Sequence, residues 1–351
     1  MVSESLDTWS GGLHVIRHSF LALFLLVTRW LCPAQGLAQA PPFAPDSQEP
    51  ILHISSDLVL VDVEALSIAN GHPIDTLKQG DFQIFDNNQP VSITTFDVGA
   101  STRPLALWFV VQCNMHGWEA QGSGLFVGQI ERFQPALQHL EKRDRVAVAH
   151  WCDDGQAHVD LPPTSNIDQA VASLNLALVP ATDKVFHDRP GELALQKTLQ
   201  LIVDATRSMP TESVPVIVFL YGDYSAMRRS EANQFIDELL DTSVIAFGLR
   251  DRRSPRFLSF MAPGEQASIA NYIANQTGGE YLWVTPDTYA SGLIEILEQL
   301  HSRYELGFRP GVLDGKRHKL QVKLTENVEV SGRKIRLRCR AGYVAGAHAA
   351  R

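Results

Sequence analysis

Between Leu105 and Leu300 the sequence alternates short, uninterrupted apolar runs with stretches whose apolar residues recur three and four positions apart, a pattern few folds accommodate. Leu105–Val111, Arg145–Trp151, Val214–Leu220, Val244–Leu249 and Tyr281–Val284 read as strands, the continuous apolar ones as strands buried on both faces. Phe126, Ile130, Phe133, Leu137 and Leu140 mark one face of a helix, as do Ile167, Val171, Leu174 and Leu178, and then Leu195, Leu199 and Ile202. Ser230 is placed to cap a helix carrying Phe235, Ile236, Leu239 and Leu240. Ile269–Gln276 reads as a helix closed by Gly278-Gly279, and Leu293, Ile296, Leu297 and Leu300 mark the last one. Strands alternating with helices predict a doubly wound, mostly parallel sheet covered on both faces. Ligands of such sheets bind beyond the carboxyl ends of the strands, which directs attention to Gln112–Gly117, Cys152–Gly155 and Tyr221–Ala226.

On either side of this unit the period changes to two. Val59, Val61 and Val63 alternate with other residues, Asn70-Gly71 is a turn signal, Phe82 and Ile84 share a face, and Asp86-Asn87-Asn88 turns the chain into a strand at Ile93–Phe96. Beyond His301, Tyr304–Phe308 is strand-like, Asp314-Gly315 is a turn, and Leu320, Val322 and Leu324 alternate, as do Ile335, Leu337 and Cys339. Each flank is short for a core of its own, so the two are expected to pack together as one β-sandwich-like module with the α/β unit inserted between them. The expected organisation is a signal segment over 1–38, a linker over 39–54, an N-terminal β segment over 55–100, the α/β domain over 101–301, a C-terminal β segment over 302–345 and a tail over 346–351.

The signal segment rests on Phe20–Val27, a run of eight apolar residues preceded by Arg17 and His18, and on Ala38 and Ala40 in small-x-small spacing. The run is shorter than the roughly 20 residues needed to span a bilayer. Cleavage after Ala38 would release the chain outside the cytoplasm, in the periplasm or beyond, and a membrane role would arise only if the segment stayed uncleaved. A net charge of −9 points away from nucleic acid and anionic membrane surfaces. Without Cys32, which falls in the signal segment, three cysteines remain, an odd number that argues against a full disulfide framework.

Several stretches carry a family resemblance. Leu58–Glu64, Leu77–Asp86 (LKQGDFQIFD), Arg103–Leu107 (RPLAL), Asp144–Ala149 (DRVAVA), Thr277-Gly278-Gly279, Tyr304–Pro310 (YELGFRP) and Arg340–Tyr343 (RAGY) resemble, in the same order, the motifs of the von Willebrand factor A-related proteins abundant in Acidobacteria. The resemblance spans about residues 55–345. It implies a von Willebrand factor A-like α/β domain, a fold in which an Asp-x-Ser-x-Ser turn, a threonine and a second aspartate commonly hold a divalent cation at the strand ends. Hard cations such as magnesium require oxygen ligands of this kind.

Here that pattern fails. The turn aligns with Gln112, Asn114 and His116, so a neutral amide replaces the leading carboxylate and an imidazole replaces a hydroxyl. Thr182 can stand for the threonine. The second aspartate, ordinarily before a glycine, is displaced to Asp223 in Gly222-Asp223, and a one-residue shift at a strand end turns a side chain to the other face. The site is therefore expected to hold no metal, and no cofactor is implied. Asp153 and Asp154 are solvated turn residues or substitute ligands, Trp118 is an interface anchor or a core residue, and His150 reads as core or interface.

Cys113 and Cys152 end neighbouring strands and are either buried thiols or a disulfide. No phosphate-binding glycine loop, zinc-ligand spacing or nucleophile elbow is present, so no catalytic residue or small-molecule substrate is assigned. The sequence is thus read as an exported, non-enzymatic module that binds a protein of unknown identity through Gln112, Asn114, His116, Trp118, Asp153, Asp154, Thr182 and Asp223. The alternatives are a cation-dependent adhesion domain using the substitute acids and, third, an enzyme of unknown class.

Overall fold

The computed structural model describes residues 58–98, 103–112, 133–151, 155–177, 188–209, 212–220, 229–251, 269–285, 288–326, 328 and 334–346. The apolar runs of the central region form one sheet. Its strands are β5 (Leu105–Gln112), β6 (Arg145–Trp151), β7 (Ala157–Thr164), β8 (Val214–Leu220), β9 (Ile245–Asp251) and β10 (Tyr281–Val284). Their spatial order is β10-β9-β8-β5-β6-β7. Numbered within the unit this is 3-2-1-4-5-6, the order of doubly wound dinucleotide-binding sheets, read from the opposite edge. Every pairing is parallel except β6 with β7.

Because side chains alternate across the sheet, each continuous apolar strand feeds two cores. Leu107, Phe109, Val111, Val146, Val148, Val216 and Val218 face helices α1 (Phe133–Leu137), α2 (Ile167–Ala177) and the last helix, α6 (Tyr289–His301). Trp108, Val110, Ala147, Ala149, Ile217 and Phe219 face α3 (Asp188–Arg207), α4 (Arg229–Asp241) and α5 (Ile269–Thr277). Each fully buried Val, Leu, Ile or Phe contributes about 1.5–3 kcal/mol relative to exposure, so the two faces together dominate the fold's stability. Among the described residues no helix is long and apolar enough to cross a membrane.

Two details differ from the sequence reading. Helix α4 begins at Arg229, which puts Ser230 inside its first turn instead of at the cap. The strand β7 has no counterpart in the apolar pattern: its sequence AHVDLPPT carries Pro162 and Pro163 and is mostly half-exposed or exposed. A strand with two prolines is tolerated only where donors are not required, and β7 is an edge strand, antiparallel to its one neighbour.

The flanking segments interleave. One sheet has the order β13-β1-β11-β4, from Ile335–Arg338, Val59–Ser67, Tyr304–Phe308 and Ile93–Val98. The other has the order β14-β12-β2-β3, from Gly342–Val344, Arg317–Leu324, Phe82–Asp86 and Gln89–Val91. Each sheet contains strands from before and after the α/β unit, and all of these pairings are antiparallel. Their shared core holds Val61, Val63, Phe82, Ile84, Leu306, Phe308 and Leu320.

Tyr304 lies at the centre of this core, its ring 5.1 Å from Phe82 and 6.0 Å from Phe96. Its hydroxyl donates to the Ile74 carbonyl at 2.6 Å and accepts from the Leu77 amide at 3.0 Å, so the connection between β1 and β2 is anchored from the far side of the α/β insertion. The β2–β3 turn has positive φ at both Asn87 (47°) and Asn88 (65°), as a two-residue hairpin of the type matching strand twist requires.

Candidate functional site

The strand order creates one topological switch. From β5 the chain crosses to β6 on one side, and from β8 it crosses to β9 on the other, so the crevice between the β5 and β8 carboxyl ends is the place such a sheet offers to a ligand. At this rim Val111 is in register with Leu220 on one side and Gln112 with Trp151 on the other. Gln112 is therefore the last residue of the central strand, placed by its backbone at the switch. Asn114, His116, Trp118, Asp153, Asp154, Thr182 and Asp223 lie outside the described residues, as do Cys113 and Cys152.

The described part of the rim carries a polar cluster that the sequence reading does not assemble. His150 is the penultimate residue of β6, and alternation puts it on the face of Val146 and Val148. Its partner across the antiparallel pair is His158, with ring centroids 4.5 Å apart and planes within 5°. The register slips between Val148 and Ala149, leaving Asp160 as an extra residue in β7. That bulge aims the Asp160 carboxylate at His150 Nδ1, with its two oxygens at 2.8 and 2.7 Å. A His-x-Asp at 158–160 opposite a strand histidine is visible in the sequence, but only the bulge brings the three together. Nearby, the Lys197 ammonium on α3 donates to the Gly155 carbonyl at 2.7 Å and to Gln156 Oε1 at 3.3 Å, tying that helix to the turn before β7.

A second polar centre lies where the α/β unit meets the β module, and the motifs of the family resemblance converge there. Gly278 has φ +85°, and a Cβ on it would come within 2.6 Å of the Arg340 amide nitrogen and the Cys339 carbonyl carbon. Gly279 faces the Ala246 carbonyl of β9 so closely that a Cβ would overlap it. Thr277 Oγ1 accepts from the Ala246 amide at 3.0 Å and donates to the Ile273 carbonyl at 2.9 Å. Arg340 donates to the Leu60 and Leu240 carbonyls at 2.6 and 3.1 Å, one on each side of the seam. Arg103 bonds Glu305 at 2.7 Å.

Around these contacts runs a largely buried charge network. Arg338 of β13 reaches both Glu280 oxygens, at 2.7 and 2.8 Å, and Glu64 at 2.9 Å. Gln299 also donates to Glu280, at 3.2 Å. Arg303 is fully buried, donates to the Gly278 carbonyl at 2.8 Å and lies 5.7 Å from the centre of the Phe247 ring. The network divides electrostatically. For Glu280, burial is the largest single influence and pushes the carboxyl up, but the Arg338 hydrogen bond and the charges of Arg338 and Arg336 outweigh it and hold it below the usual range. For Glu64, burial wins over the Arg303 and Arg338 charges and its carboxyl is raised. Burial likewise lowers Arg303, and it pushes the Cys339 thiol up to about 11. These motif residues hold two parts of the fold together and leave the switch crevice to other side chains.

No family model matches the sequence. No curated protein matches it either. Among solved structures, the chain is similar to a von Willebrand factor type A protein from Catenulispora acidiphila, at 12% identity over 75% of this chain and 72% of that one, with a TM-score of 0.42. It is similar to the von Willebrand factor domain of the type V pili tip protein Mfa5 from Porphyromonas gingivalis, at 9% identity over 56% and 94% of the two chains, with a TM-score of 0.37. It is also similar to the conserved hypothetical protein BatB from Bacteroides thetaiotaomicron, at 16% identity over 56% and 98%, with a TM-score of 0.33. The chain's own coordinates establish a doubly wound α/β fold inserted in a two-sheet β module built from its flanking strands.

Proposed function

We propose that this chain is an exported, non-enzymatic interaction module of the von Willebrand factor A type. It binds a protein partner through the carboxyl-end loops of its parallel sheet, with no obligatory hard cation at the switch crevice. The observation that carries the reading is Gln112, which closes the central strand beside both neighbouring strand ends. A neutral amide at that point supplies none of the charge that attracts magnesium or manganese, so the donor set does not fit such an ion. The protein-binding part of the reading follows from the crevice's place in the topology and from the family resemblance of the motifs.

Calorimetric titration of the chain with magnesium and then manganese tests the cation part. The expected result is no binding heat and an unchanged melting temperature. Saturable heat with a raised melting temperature would instead support the cation-dependent alternative, in which Asp153, Asp154 or Asp223 supplies substitute ligands, because a ligand that binds only the folded state stabilises it. Export is tested by N-terminal sequencing of the protein from its native source. A mature chain beginning after Ala38 is expected, and a soluble cytoplasmic pool retaining Met1 would contradict it.

A further inference from the structure

We propose that the seam between the α/β unit and the β module is a binding site for buried water, which bridges the Arg303 guanidinium to the Glu64 and Asp62 carboxylates. The two-residue period of β1 creates it. Val61, Val63 and Ala65 point into the sandwich core, so Asp62 and Glu64 leave the opposite face of the strand. The register of β1 with β11 runs from Val59 opposite Phe308 to Val63 opposite Tyr304. One step further along, Arg303 stands opposite Glu64, and residues opposed in this way share a face with Cβ atoms about 5 Å apart. On the other side of β1, Glu64 is paired with Arg338 of β13. Glu64 thus lies between two arginines but bonds only one of them: its Oε2 accepts from Arg338 at 2.9 Å.

The other oxygen, Glu64 Oε1, has no hydrogen-bond partner among the described residues, and neither do Asp62 Oδ1, Arg303 Nε and Nη1 or Arg340 Nε. Glu64 is 0% and Arg303 1% exposed, so bulk solvent does not reach them. Arg303 spends one donor, Nη2, on the Gly278 carbonyl at 2.8 Å. Burial lowers Arg303, and the charges of Glu64 and then Asp62 act most strongly against it; at Arg340 burial is likewise opposed first by Asp62. These groups are therefore near enough to feel one another, yet they do not bond directly. Buried polar groups in folded proteins nearly all find a partner, either protein or ordered water. The mixture of signs identifies the ligand. The orphaned atoms comprise three donors, on Arg303 and Arg340, and two acceptors, on Asp62 and Glu64. An anion would be repelled by the carboxylates and a metal ion by the guanidiniums, whereas water accepts from one kind and donates to the other. A buried water makes about three hydrogen bonds, so about two molecules satisfy the cluster. The site does not depend on whether a protein partner docks at the switch crevice.

In crystals of the full chain, an ordered water is expected within about 3.2 Å of Arg303 Nε or Nη1 and also of Glu64 Oε1 or Asp62 Oδ1. Arg303 bonded directly to either carboxylate would overturn the proposal, as would the lack of any water between them in a map that shows ordered water elsewhere in the interior. Oxygen-17 magnetic relaxation dispersion gives the solution test, because it counts internal waters with long residence times. A folded protein holds about one buried water per 27 residues, so the difference between variants is the quantity to read. Arg303→Met removes both orphaned donors of this side chain and should lose at least one long-lived water relative to the natural chain. Arg303→Lys keeps a charged donor at the seam and should retain it. An unchanged count in Arg303→Met, with a cooperative melting curve showing that the variant is folded, would overturn the assignment. If Arg303→Met does not fold, the crystallographic result on the natural chain decides.

Discussion

Gly279→Ala is expected to destabilise the chain by about 3 kcal/mol or more, at the top of the range for overpacking a close-packed site. The added methyl would overlap the Ala246 carbonyl oxygen and stand 2.7 Å from its carbon, and neither atom belongs to a flexible side chain. Ala246 is the second residue of β9, paired with Ile217 of β8, so it cannot retreat without disturbing that ladder. Helix α5 would have to move instead, and with it Thr277, whose hydroxyl satisfies the Ala246 amide. Gly311 provides the control: nothing lies within 4 Å of the point where an added methyl would stand, so Gly311→Ala should change stability by no more than about 0.5 kcal/mol. Chemical denaturation of the two variants beside the natural chain gives both numbers. Equal effects at the two glycines would show that the seam yields, contrary to the backbone contacts.

Replacing Glu280 by alanine should cost about 3–5 kcal/mol, the loss typical when one member of a buried ion pair is removed. At roughly 2 °C per kcal/mol for a chain of this size, that lowers the melting temperature by about 6–10 °C. Glu280 and Arg338 are each only about one-sixth exposed, and their bonds of 2.7 and 2.8 Å bind the α/β unit to β13. The partners agree in sign: Glu280 is held low and Arg338 is held high, each against a burial effect that alone would do the reverse. Both charges are thus favoured by the fold.

The pH dependence follows from the same direction. A carboxyl with a depressed folded value binds fewer protons folded than unfolded just below 4.5, so its stability contribution is complete above that pH and is lost as the pH falls through the folded value. The gap between the natural chain and Glu280→Gln should therefore narrow in acid. Glu64 has the opposite sign, with a folded carboxyl above its usual value, so its ionised form is held at a cost. Glu64→Gln at neutral pH should consequently be milder than Glu280→Gln. Thermal melts of both variants at pH 7 and near pH 4 check the ordering, and a larger loss for Glu64→Gln would contradict it.

The strands of the α/β unit are legible because a buried parallel strand is written as an unbroken apolar run, and Arg145–Trp151, Val214–Leu220 and Tyr281–Val284 have the bounds the sequence suggests. The sandwich is legible through the period of two on both flanks, which neither flank could bury alone. The strand β7 is not, because its signal depends on being an edge: two prolines and exposed side chains look like loop until the neighbouring strand is known. The motifs Thr277-Gly278-Gly279 and Arg340–Tyr343 can be recognised, yet their purpose at the seam cannot be read from them. Gly279 is required by an atom 33 positions earlier in the chain, the Ala246 carbonyl.

Local sequence thus determined which segments became strands and helices, because periodicity and apolar content act over neighbouring residues. It also determined the chemical character of the strand-end ligand set, since Gln112 is an amide in any fold. Tertiary structure alone decided which side chains met. The pairing of β6 with β7 and the slip at Asp160 assembled two histidines and a carboxylate, and the return of the chain through β11 to β14 carried Arg338 to Glu280. The first contact turns on a one-residue slip in register and the second joins residues 58 positions apart, so their energies depend on register and burial that no local pattern encodes.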